Sequence, residues 1–255
     1  MDNYNQQQFS SYTILDSHQT NSNGAVAKKF MANVFSWMFL ALAISAIFAF
    51  LFSSNAELSA QLYQQTVRGL SLTGTGMLVA LAPLAFVLIM SFGFNRLSSG
   101  AMTALFIIYA AVMGMSLSVI LLAYTTGSVI GCFVASSAMF GVMAVLGYTT
   151  DKDLTSFGSM MMMGLIGIII ASMINFFLHS EGLDFIISIL GVAIFTGLSA
   201  YDVQKLKRIG SGLEFQENGI AVSDTRKLAV FGALSLYLDF INLFLMLLRL
   251  FGRRK

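Results

Sequence analysis

Apolar residues in this chain run in long unbroken blocks separated by short polar stretches. Seven blocks stand out: Phe30–Ser53, Thr75–Phe94, Ser99–Ala123, Ser128–Tyr148, Thr155–Leu178, Phe185–Tyr201 and Leu228–Phe251. Each approaches the roughly 20 residues that a helix needs to cross a hydrocarbon layer about 30 Å thick. The pattern predicts an all-α integral membrane protein with seven transmembrane helices. Between Leu97 and Thr150 the chain has no Asp, Glu, Lys, Arg or His. The only proline, Pro83, falls inside the second block and is expected to kink it.

The polar stretches set the boundaries. Residues 1–27 are rich in Gln, Asn and Ser and hold too little apolar surface to pack, so a disordered tail is expected there, with His18 solvated. No signal peptide is expected, because that stretch lacks an apolar centre. Residues 28–252 form the membrane domain, and 253–255 a basic tail, Arg253-Arg254-Lys255. The longest connections are a polar loop from Ser54 to Gly74 and a Gly-rich loop from Ile209 to Asp224. Tight turns are expected at Asp151–Asp153 and around His179–Asp184.

Composition agrees with the pattern. The chain is 57% hydrophobic and 10% charged, against about 25% charged for soluble domains. A net charge of +2 gives no basic footprint, so nucleic acid is not an expected partner; the lipid bilayer is. Cys132 is the only cysteine, which excludes an internal disulfide.

The basic residues orient the helices. With seven crossings, Lys28, Lys29, Arg96, Lys152, the cluster Lys205-Lys207-Arg208 and the pair Arg226-Lys227 share one side. Arg68, Arg249 and the C-terminal tail share the other. The first group is the larger, so the N-terminus is expected to be cytoplasmic, in a cytoplasmic membrane. The basic tail argues against a full last crossing, but Gly232–Arg249 has no break and reads as one.

Candidate chemistry is sparse. No phosphate-binding loop, His/Cys metal cluster or nucleophile elbow is present. Met160–Met163 cannot converge on one metal, because consecutive helical positions point to different faces. What remains is two acids: Asp202 at the end of the sixth block and Asp239 in the middle of the seventh. A charge at the bilayer centre costs roughly 2.5–3.5 kcal/mol on insertion scales, so an acid there usually faces inward, paired and functional. Two acids on adjacent helices suit an ion or proton path. They also suit an intramembrane aspartyl protease, and Tyr201-Asp202 fits half of that pattern. The Gly-x-Gly-Asp half is missing, with Leu236-Tyr237-Leu238-Asp239 in its place. The chain is therefore not read as an enzyme, and no cofactor is expected. For Asp202 and Asp239 to meet at equal depth, the sixth helix must extend beyond its apolar block, since their offsets from the flanking lysines differ by on the order of 13 Å at 1.5 Å per residue.

Several motifs together resemble a known family. Gly147-Tyr148-Thr149-Thr150-Asp151-Lys152-Asp153-Leu154, followed by a helix with Gly164, Gly167 and Asn175, is similar to the signature region of the Bax inhibitor-1 family. Ala200-Tyr201-Asp202-x-Gln204 and Leu234-x-Leu236-Tyr237-x-Asp239-x-Ile241-Asn242-x-Phe244 resemble its last two helices, and Phe30–Leu40 its first. The resemblance implies two three-helix layers wrapped around a central C-terminal helix. It implies a pH-dependent calcium leak governed by a hydrogen-bonded pair, Asp202 and Asp239, that holds calcium transiently. It implies an arginine latch, for which Arg96 is the counterpart. Calcium and protons are then the permeant and regulatory ions. The alternative is a regulator of a membrane protease or another membrane protein, with no transport of its own.

Overall fold

The computed structural model describes residues 2–66, 69–215 and 222–255. The elements in order are α1 (Asp2–Ser54), α2 (Ala56–Leu62), β1 (Tyr63–Thr66), β2 (Gly69–Leu72), α3 (Gly74–Phe92), α4 (Ser99–Ala123), α5 (Thr126–Thr149), α6 (Thr155–Leu178), α7 (Glu181–Phe215) and α8 (Val222–Phe251). Among the described residues seven helices are long and apolar enough to cross a membrane. They match the seven apolar blocks, and the protein is an all-α, multi-pass membrane protein.

Three differences from the sequence reading are informative. Helical backbone in α1 begins at Asp2, well ahead of the first apolar block at Phe30, and the apolar span within α1 is Ala25–Ser54. The Ser54–Gly74 connection carries α2, capped by the Asn55 side chain, and an antiparallel hairpin in which Tyr63 faces Leu72. Its Arg68 lies outside the described residues. The third difference is that α7 is 35 residues long and passes Asp202 by more than three turns, so the expected Ile209–Asp224 loop is helix as far as Phe215. Residues 216–221 of that loop lie outside the described residues.

Helix α8 is the most enclosed span. Of its best apolar window 72% is buried, against 6% for α6 and 11% for α3. It packs on α1, α4, α5 and α7, whereas α6 rests on α7 and α3 on α4. One polar link inside this packing joins three helices. Ser45 on α1 donates to the Ala110 carbonyl on α4 at 2.7 Å, which leaves its oxygen to accept from the Tyr237 hydroxyl on α8, also at 2.7 Å. Around it Tyr109 and Tyr237 meet edge to face at 5.4 Å. In an environment without water such a bond fixes depth and rotation as well as contact.

The basic end of α7 is held by the Asp151–Leu154 turn. Gln204 accepts from the Leu154 amide at 2.9 Å and donates to the Lys152 carbonyl at 2.8 Å. Arg208, one turn on, donates to Asp153 at 2.7 Å and to the Thr155 hydroxyl at 3.1 Å. Two glycines let the neighbouring helices approach α7. A side chain at Gly147 would strike the Ala200 backbone, and one at Gly158 the Tyr201 ring. The signature motif is thus a clamp on the segment of α7 that carries Asp202.

Candidate functional site: a cavity between the last three helices

The antiparallel register of α7 and α8 places the acids. Gly191 lies against Met246, Leu206 against Gly232, and Ser235 is within side-chain hydrogen-bonding reach of Asp202. Each step along α7 is therefore matched by one back along α8. On that register Asp239 lies one helical turn, about 6 Å, beyond the level of Asp202. The extension of α7 demanded by the sequence is present, and it brings the two acids to within a turn of equal depth.

Both acids line one cavity of about 790 Å³ between α6, α7 and α8. Ser235, Asp239, Asn242 and Met246 form its α8 wall, at the spacing of one helix face. Met162, Leu165, Ile169 and Met173 form its α6 wall, again one face. Asp239 is 6% exposed, and its Oδ2 has no hydrogen-bond partner. Asn242 spends its amide on the Leu238 carbonyl at 2.8 Å.

Two further cavities adjoin this one. Asp202 and Ser235 also line a cavity of about 230 Å³ that continues toward the basic end past Lys205, Ile209 and Phe94. Ser172 and Phe176 also line one of about 720 Å³ at the opposite end, with His179, Glu181, Asp184 and Arg249. The three volumes lie in series, with Asp202–Ser235 at one junction and Ser172–Phe176 at the other.

Asp202 on α7 and Asp239 on α8 line the same cavity, and Arg96 does not. Arg96 is exposed in the turn after α3, makes no ion pair among the described residues, and lines none of the three cavities. The cation that acts on Asp202 is Lys205, one turn along the same helix. Sequence reasoning passed over Ser172 and Ser235, since single serines in apolar blocks carry no distinguishing signal. It also counted Lys227 as a loop charge. That lysine is only 8% exposed, with its amine 4.6 Å from the centre of the Phe94 ring, a cation–π contact that compensates burial. Gln204 and Arg208, four apart, share one face of α7, but that spacing does not point to the Asp151–Leu154 turn as their partner.

Outside the spans, Asp153 is the one described carboxyl held well below the usual carboxylate range. The Thr155 side chain is the main cause, followed by Arg208 and the Thr155 amide. Among the described residues no three His, Cys, Asp or Glu side chains gather as a metal cluster. Asp202, Asp239, Ser235 and Asn242 carry six side-chain oxygens between them, the lower bound for a resident calcium site and reached only with both carboxylates bidentate.

Comparison with known proteins agrees with the motifs. The family model described as inhibitor of apoptosis-promoting Bax1 matches residues 27–255. The inner membrane protein YbhL of Escherichia coli (strain K12) is 42% identical over 226 residues, covering 89% of this chain and 92% of that protein. An uncharacterized protein of Borreliella burgdorferi is 42% identical over 245 residues, covering 95% and 99%. Another of Rickettsia prowazekii, RP147, is 40% identical over 228 residues, covering 89% and 91%. With a family match across nearly its whole length and relatives this similar end to end, the chain belongs to the Bax inhibitor family of membrane proteins.

Proposed function

We propose that this chain is a pH-gated calcium leak channel of the cytoplasmic membrane, with its N-terminus in the cytoplasm and Asp202 and Asp239 as the gating pair. One observation carries the reading: three cavities in series run along α7 and α8, and the two acids flank the junction nearest the basic end. Two carboxyls this close in a low-dielectric site do not both ionise cheaply, so they share a proton and titrate as a unit. Protonated, they bridge α7 and α8. Ionised, they repel one another or attract a hard cation, for which carboxylate oxygen is a preferred ligand. In this reading Arg96 is a latch only in a state where its turn swings inward, and Lys205 is the standing cation beside Asp202.

The test is reconstitution of the purified chain in liposomes loaded with a calcium-sensitive dye, with pH stepped on the outside. The expected result is calcium entry whose rate changes with pH and loses that dependence in Asp239→Asn. Absence of calcium entry at every pH would overturn the reading and favour a regulator of another membrane protein.

A further inference from the structure

We propose that the 790 Å³ cavity is a binding site for a lipophilic organic cation, an apolar body carrying a single positive charge, with Asp239 as its counter-ion. The proposal goes beyond the leak reading and does not rest on it, since binding needs no transport.

The volume lies within the roughly 300–1,000 Å³ typical of small-molecule sites, and the lining has their usual character of apolar walls with a few polar groups. The walls are aliphatic, thioether and aromatic. Leu165 and Ile169 come from α6, Phe195 and Leu198 from α7, and Met246 from α8. Both carboxyls sit on one side, Asp239 on α8 and Asp202 on α7, and Ser172 is the one polar side chain on the α6 wall. A hydrated inorganic ion finds little on the α6 wall to replace its water. An organic cation matches both halves, its body against the walls and its charge against the acids.

Charge complementarity selects the sign. The cavity is lined by two carboxyls and by no lysine or arginine. Asp202 already has Ser235 within reach and Lys205 acting on it from the adjoining small cavity. Asp239 is more than nine-tenths buried, and its Oδ2 is left without a partner. Burial of an unpaired carboxylate is costly, and an opposite charge brought to it in a low dielectric interacts strongly. Aromatic faces add to this, since Phe195 in the wall and Phe176 and Phe177 at the mouth offer cation–π contacts.

The route of entry is visible as well. Ile169, Met173, Phe176 and Phe177 on the α6 rim are more than half exposed. They belong to a helix whose best apolar window is only 6% buried, so the rim faces lipid. A ligand already partitioned into the bilayer reaches the acids sideways, without crossing water.

Tetraphenylphosphonium is a suitable probe, because its charge is fixed and its surface apolar. Binding of the radiolabelled ion to the full chain in nanodiscs of neutral lipid should be saturable, at one site per chain, above the partitioning seen in empty discs. A neutral tetraphenyl compound of the same shape should not compete. Asp239→Asn should weaken binding tenfold or more, whereas Asp239→Glu should retain it. Ser172→Trp fills the cavity from the α6 side, leaves both acids in place, and should abolish binding; it keeps the test decisive if Asp239→Asn fails to fold. Binding no different from empty discs would overturn the proposal. So would saturable binding that survives both Asp239→Asn and Ser172→Trp, or equal competition by the neutral compound, which would mark the cavity as an acyl-chain groove.

Discussion

The Asp202 carboxyl and the Ser235 hydroxyl approach one another where two cavities adjoin, so a contact between α7 and α8 is also part of the lining that both cavities share. A change at Ser235 therefore acts on both packing and passage. Ser235→Ala removes the hydroxyl within reach of Asp202, a loss of about 0.5–1.5 kcal/mol, the worth of an ordinary hydrogen bond. Ser235→Leu additionally fills the junction. We expect Ser235→Ala to remain folded and conduct, and Ser235→Leu to remain folded and not conduct. Melting curves together with liposome calcium flux check the pair, and equal flux in both variants would remove the junction from the path.

The two acids should behave as one unit. Asp202→Asn and Asp239→Asn each keep a hydrogen-bonding amide and each remove the shared proton. Either should flatten the pH dependence of calcium flux, and the double variant should match the singles, because groups in one network are not additive. Summed effects in the double variant would show two independent groups.

Asp153 gives a pH prediction with a definite sign. Its carboxyl is held below the ordinary range by Thr155 and Arg208. A depressed folded value contributes stability that is fully present above the unfolded value, near 3.9, and is lost as pH falls through the folded value. The clamp formed by Asp153, Arg208 and Gln204 should thus be insensitive to pH from neutrality down to about 4, weakening only in stronger acid. Asp153→Asn should leave the pH midpoint of flux unmoved. Gln204→Leu breaks the three hydrogen bonds of a buried side chain, to Leu154, Lys152 and Arg208, and strands the Leu154 amide, so it should destabilise by about 1–3 kcal/mol. The check is thermal melting in detergent alongside the flux profile; a shifted midpoint in Asp153→Asn would make the turn part of the sensor.

Much of this was legible in the sequence. Block length gave seven spans, because backbone groups in lipid leave a chain few options but helix. The acids stood out for the same reason, since a carboxyl at membrane depth needs a cause. The extension of α7 was less accessible, because Gln204, Lys205, Lys207 and Arg208 end the apolar block without ending the helix. Polar residues there pack on the Asp151–Leu154 turn and on Tyr148, where Lys207 donates to the carbonyl oxygen at 2.8 Å. Such long-range partners leave no periodic trace. The position of Arg96 was equally hidden, since a turn after α3 can face inward or outward on the same sequence.

Orientation is open to a direct test. Lys205, Lys207, Arg208, Arg226 and Lys227 flank the α7–α8 connection, and basic residues concentrate on the cytoplasmic side. Cys132 is buried, so a cysteine placed at Gly212, where a side chain meets nothing within 4 Å, should dominate labelling. A membrane-impermeant maleimide is expected to label it only after the membrane is permeabilised. Labelling in intact cells would invert the topology and put the acids nearer the outer face.

The far end of the path offers the sharpest separation of gating from sensing. Arg249 in the last turn of α8 lies 3.4 Å from Asp184 in the first turn of α7, and both line the cavity of about 720 Å³ that shares Ser172 and Phe176 with the central one. Each charge also complements its own helix dipole, which accounts for its position independently of the other. The pair is half-exposed, and pairs of that kind are worth about 0–1 kcal/mol, so it opens readily. If it spans the mouth, breaking it should raise calcium flux by no more than about fivefold, the factor corresponding to 1 kcal/mol. Asp184→Asn and Arg249→Gln should raise flux alike, with melting temperature nearly unchanged. The pH midpoint should not move, because Asp202 and Asp239 are left intact at the other junction. Flux measured across a pH series in liposomes checks all three points. A shifted midpoint would mean that the mouth and the acids titrate together, and unchanged flux would mean that ions leave the central cavity by another route.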